Sequence, residues 1–102
     1  MVPLTVYKTR TNREKIIGLI GKNNPYALLL QTRFGIHTFG VKFPIDVVIL
    51  NNKHVVTTLY EHMQPNRIFV WNPRYSLVLE LPPGTILKEK ITTGTKIKLV
   101  VQ

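Results

Sequence analysis

The chain has 102 residues, with 14 Lys and Arg against 5 Asp and Glu, no cysteine and 44% hydrophobic residues. That composition fits one domain with an ordinary core, and it excludes disulfide scaffolds, thiolate metal sites and cysteine nucleophiles. No apolar run approaches the ~20 residues that a membrane-crossing helix needs, and the net charge of +9 admits an acidic partner.

In chain order, the start Met1-Val2-Pro3-Leu4-Thr5-Val6-Tyr7 lacks the charged end and long apolar stretch of a signal peptide, so a cytoplasmic location is expected. Leu4, Val6 and Lys8 alternate with Thr5, Tyr7 and Thr9, predicting an opening strand with one face toward water. Thr11-Asn12-Arg13-Glu14 has capping-box spacing and Ile16, Ile17, Leu19 and Ile20 form an apolar stripe. With Gly21 as a left-handed stop, these predict a helix from about Asn12 to Ile20. Gly18 inside it costs ~1 kcal/mol against alanine, a sign of close packing.

Beyond Asn23-Asn24-Pro25 the pattern turns to strands at Tyr26 to Gln31, Ile36 to Val41 and Ile45 to Leu50. Asn51-Asn52 predicts a tight hairpin into His54 through Tyr60, since asparagine tolerates positive φ. Further strands are expected at Arg67 to Trp71, Tyr75 to Leu81 and Lys96 to Val101, separated by Pro-, Asn- and Gly-containing turns. Short strands at this spacing indicate an antiparallel sandwich or barrel, and the expectation is an all-β domain over 1–102, a small antiparallel sandwich with one short helix after the first strand.

Several segments, in order, resemble the uncharacterised prokaryotic family named domain of unknown function 192. Gly18-Leu19-Ile20-Gly21-Lys22 stands where that family has a Gly-Leu-Met-Gly-Arg type signature. His37-Thr38-Phe39-Gly40-Val41-Lys42-Phe43-Pro44-Ile45-Asp46-Val47-Val48-Ile49-Leu50 is similar to its most specific segment. Pro65-Asn66-Arg67 and Val78-Leu79-Glu80-Leu81-Pro82-Pro83-Gly84 fall at its proline loop and its Leu-Glu-Leu-x-x-Gly segment. The chain departs from the pattern at Asn51-Asn52, where members carry an acid and glycine, and at Thr95, where they carry Asp. The resemblance implies a jelly-roll-like β-sandwich and no particular activity.

Among candidate functional residues, Asp46 places a charge inside an apolar strand. It must either accept hydrogen bonds from backbone N–H groups or an arginine, or anchor a ligand pocket. Glu80 shares a strand face with Val78 and lies just before Pro82-Pro83-Gly84. Together the two carboxyls could act as a hydrolase acid and base, or each could be structural. His37, His54 and His62 lack metal-ligand spacing, so neither a metal nor another cofactor is expected; His37 beside Thr38 reads as a strand-start residue.

Lys42 shares a nominal face with Asp46 but stands about 13 Å from it on a straight strand. A bend at Phe43-Pro44 would bring the two toward one small polar ligand. Arg67, Phe69 and Trp71 share a face that could stack bases or sugars, or could send its aromatics into the core with Arg67 at the rim. The cations are spread along the chain with no run of three, which weakens the case for nucleic-acid binding. The leading expectation is a non-enzymatic module that binds a small polar ligand or a protein partner near His37, Lys42, Asp46, Glu80 and Arg67. The alternatives are a hydrolase using Asp46 and Glu80 and a basic nucleic-acid binder; an exposed sheet edge could also support a homodimer.

Overall fold

The computed structural model describes residues 1–8, 27–33 and 35–102. The helix expected over 12–20, its capping box and the Gly18 to Lys22 signature lie outside the described residues. The strands are β1 (Val2–Lys8), β2 (Leu28–Gln31), β3 (Ile36–His37), β4 (Ile45–Leu50), β5 (Val56–Met63), β6 (Ile68–Phe69), β7 (Leu77–Leu81) and β8 (Ile97–Val101). One four-residue helix, α1 (Thr85–Lys88), interrupts them.

Six strands form a sheet in the order β5-β4-β7-β2-β1-β8, and β3 pairs with β6 as a separate ribbon. The two sheet edges meet at one end. There the Val56 N–H donates to the Thr95 carbonyl, the Ile97 N–H donates to the His54 carbonyl, and Val55 bridges Lys96. The sheet is thereby curled into a half-barrel. Leu4, Val6, Leu29, Val48, Leu50, Val56, Leu79, Leu81 and Ile97 line its concave face, and Ile86 and Ile91 from the β7–β8 connection fill it.

The all-β expectation holds, with two differences. β2/β7, β7/β4 and β4/β5 are antiparallel as expected, but β1 is parallel to both of its neighbours, β2 and β8. A parallel neighbour must be reached by a crossover, and turn residues carry no trace of strand direction. Instead of two packed sheets, one curled sheet has its outer face covered by the ribbon. Leu28, Leu30, Ile45, Val47, Ile49 and Val78 meet Ile36, Val41, Phe43, Phe69, Trp71 and Tyr75 there. β4 is therefore buried along its whole length, as the apolar run from Val47 to Leu50 requires.

The β4–β5 hairpin occurs where Asn51-Asn52 predicts it, by a different device. Asn51 Oδ1 accepts the Lys53 and Val55 amides at 2.9 and 3.0 Å, and the positive φ of 62° falls on His54. Asparagine acts here through its side chain, and the loop is longer than a two-residue turn.

Asp46 fastens three elements together. Between Ile45↔Met63 and Val47↔Tyr60 the register advances two residues on β4 and three on β5, which makes a bulge at Glu61 and His62. His62 there has φ 56°. Its freed N–H donates to Asp46 Oδ1 at 2.9 Å, while Asp46 Oδ2 accepts the Ile86 N–H of α1 at 2.8 Å. Asp46 is 1% exposed, so both amides would be left without partners if the carboxylate were removed.

Thr38 does the same for the ribbon. Its hydroxyl donates to the Gln64 carbonyl and accepts the Arg67 N–H, each at 2.8 Å, and its main chain bonds Asn66 and Arg67. The chain then turns through Gly40, φ 80°, which limits β3 to two residues where a longer strand was expected.

Two measurements check these roles. Asp46→Asn keeps one acceptor oxygen and turns an NH2 toward a buried N–H, so urea unfolding should show a loss of more than ~2 kcal/mol. Thr38→Val should cost about 2 kcal/mol in the same assay, and Thr38→Ser, which keeps the hydroxyl, about half as much or less.

Candidate functional site

The residues expected to share one site are dispersed. Asp46 pairs with Leu81 and belongs to the concave face; Glu80 pairs with Val47 and belongs to the outer face. Successive residues of a strand point to opposite sides, so the sheet itself separates the two carboxyls. An acid and base working on one substrate is not available to this pair, which corrects the paired-carboxylate expectation. Only two-residue periodicity on both strands together with their register reveals this, and register is not written in either strand alone.

His37 is exposed on β3, its ring 5.4 Å from that of Phe39. Arg67 is exposed at the end of the ribbon, and its main chain is bound by Thr38. Lys42 is exposed at the turn before β4, with the chain bending at Phe43. Phe69 and Trp71 are half-buried against the outer-face core, 5.8 Å apart between ring centroids. The Trp71 indole N–H donates to the Tyr75 carbonyl at 2.7 Å, the arrangement in which the aromatics serve packing with Arg67 at the rim. Sequence reasoning passed over Thr38 as a mere neighbour of His37; a buried hydroxyl gives no local pattern.

Glu80 is the chemically distinctive group. It sits mid-sheet in a cross-strand row of Tyr60, Val47, Glu80, Leu28 and Tyr7, one residue from each of five neighbouring strands. It is 5% exposed and makes no hydrogen bond among the described residues. No buried side-chain oxygen or nitrogen among those residues lacks a partner, so the small exposed area of Glu80 must lie on its carboxyl oxygens. Its stem is thus packed among Val47 and Leu28 while its tip reaches solvent. Desolvation pushes the carboxyl up from an ordinary 4.5 to about 7. At neutral pH the group is divided between a hydrogen-bond donor and an anion.

A second concavity, of about 440 Å³, lies between β5 and α1 and is lined by Leu59, Glu61, Ile86, Leu87, Lys90 and Ile91, with Thr92 and Thr93. Its floor is the segment that Asp46 holds. Among the described residues no group of three or more His, Asp or Glu side chains is placed to bind a metal ion. No helix among them is long and apolar enough to cross a membrane.

The arrangement has counterparts of known structure. A protein of unknown function from Novosphingobium aromaticivorans is similar at a TM-score of 0.75 and 14% identity, over 92% of this chain and 71% of that one. A protein from Sinorhizobium meliloti named as a candidate transcription regulator is similar at a TM-score of 0.69 and 16% identity, over 90% of this chain and 76% of that one. At these identities the likeness concerns the fold. No curated protein matches. Residues 2–99, which include β1, the Thr38 turn, Asp46, Glu80 and the first three residues of β8, match the family DUF192, described as "Uncharacterized ACR, COG1430", and the chain belongs to that family.

Proposed function

We propose that the protein is a non-enzymatic binding module that takes the hydroxyl or amine of a small polar ligand at Glu80. The observation that carries this reading is a carboxyl set in an apolar face with no hydrogen-bond partner among the described residues and its tip at the surface. Leaving such a group unpaired costs stability, and a fold that merely needed packing would be better served by leucine there. A ligand that donates to Glu80 would supply the missing hydrogen bond, and the exposed rings of Tyr60 and Tyr7 at the two ends of the row offer flat apolar flanks. Of the other residues first expected in this site, Asp46 is committed to backbone amides, and His37, Lys42 and Arg67 lie on the exposed parts of the ribbon and its turn.

The burial of Glu80 has a consequence in pH. Its folded pKa, about 7, exceeds the unfolded value of 4.5, so between these values the unfolded chain ionises while the folded chain keeps its proton. Stability from this group therefore falls as pH rises from 4.5 to about 7 and is level above, by roughly 3 kcal/mol in all. Glu80→Gln removes the titration. Its stability relative to wild type should rise across that interval and hold constant beyond it, as read from urea midpoints at pH 4, 6 and 8.

The binding reading is tested by NMR titration with a panel of monosaccharides and short alkylamines. A member of the panel should shift the amides of Val47, Glu80, Leu28 and Tyr60 saturably. Glu80→Leu should abolish those shifts while raising stability above pH 7. Absence of any such shift, or an undiminished response in the leucine variant, would sink the proposal.

A further inference from the structure

The ribbon's outward side is unlike the rest of the surface. In its register Ile36 lies opposite Phe69 and His37 opposite Ile68. Ile36 and Phe69 face the core, so His37 and Ile68 face away from it, with Gly35 and Val70 next along the same side. Gly35 has φ 98°, and a Cβ there would stand 2.8 Å from the Phe69 carbonyl oxygen and 2.9 Å from Val70 Cγ1, so only glycine lets the strands approach. The result is an exposed apolar stripe: Ile68 is 71% exposed, Val70 67% and Phe39 45%.

Cations flank this stripe without any acid. Residues 27–45 and 64–76 contain Arg33, Lys42, Arg67 and Arg74 and no Asp or Glu. The Arg33 guanidinium donates to the carbonyls of Pro73 and Arg74 at 2.9 and 3.0 Å, which fixes its charge at one end of the ribbon. Arg67 and Lys42 lie at the other end, beside the Thr38 turn. Two of the four acids among the described residues, Asp46 and Glu80, are buried; the other two, Glu61 and Glu89, belong to β5 and to the end of α1. Neither of the two exposed acids among the described residues belongs to the ribbon.

We propose that the outward side of the β3–β6 ribbon docks on anionic lipid bilayers. Phe39, Ile68 and Val70 enter the headgroup boundary, and Arg33, Arg67 and Arg74 meet the lipid phosphates. An apolar centre with a cationic rim suits such an interface, where burial of apolar area and attraction of basic side chains act together. Nucleic acid would satisfy the cations equally well. It would gain nothing from two bare aliphatic side chains, because bases are held by stacking on rings.

The test is co-sedimentation with vesicles of phosphatidylcholine alone and of phosphatidylcholine containing a quarter phosphatidylglycerol. Binding should be at least about tenfold stronger to the anionic vesicles and should weaken as salt is raised. Ile68→Asn with Val70→Asn, and separately Arg67→Glu with Arg74→Glu, should each reduce it about tenfold or more while leaving the urea midpoint unchanged. Equal binding to both vesicles, no binding to either, or binding that survives both pairs of substitutions would overturn the proposal. So would capture of a single-stranded oligothymidine through the same residues without any sedimentation on vesicles.

Discussion

A single carboxylate holds together backbone segments that the hydrogen-bond ladder leaves apart. Asp46 Oδ1 binds an amide 16 residues on and Oδ2 one 40 residues on. The first belongs to a bulge, which by its nature frees an N–H from the ladder; the second belongs to the first turn of a helix, where N–H groups have no acceptor within the helix. An acceptor with two outward lone-pair sets is needed at that point, and no neutral side chain of that length offers one. Once β5 and α1 are fixed to β4, Ile86 and Ile91 sit in the concavity of the sheet and the two sheet edges close around them. The concave core thus depends on a polar contact at its border.

Asp46 and Glu80 show how far environment decides the behaviour of one chemical group. Both are carboxyls on central strands of the same sheet, nearly diagonal to one another across the β4–β7 ladder. One faces two backbone donors. The other faces Val47 and Leu28 and is met by desolvation alone, which favours its protonated form. Charge at the surface follows from the same burial: the chain's acids are few, and the fold withdraws two of them from solvent, so the exterior is more basic than composition indicates.

Much of the fold is legible in the sequence because its strands are strongly patterned. Ile45 to Leu50 is bounded as expected, and the alternation Val78, Glu80 against Leu79, Leu81 places each residue on its observed face. The family resemblance rests on residues that turn out to be structural: Thr38 and Asp46 are both buried and bonded to main chain. Three things were not legible. Strand direction at β1 depends on a crossover rather than on local residues. α1 spans barely one turn, too little for periodicity, and follows Pro82-Pro83-Gly84, which reads as a plain separator. The separation of the two carboxyls to opposite faces depends on register between strands distant in sequence.

The pairing of β1 with β8, Val2 against Ile97 through Val6 against Val101, joins segments separated by all the other strands of the sheet. During synthesis β1 emerges before β8, and the edge that it turns to β8 has no partner until residue 101 has also emerged. β5 likewise waits for the Lys96 bridge before its start is covered. Closure of the half-barrel therefore waits until β8 has emerged. Such long-range parallel pairing is slow to form and exposes an unpaired apolar edge in the interval.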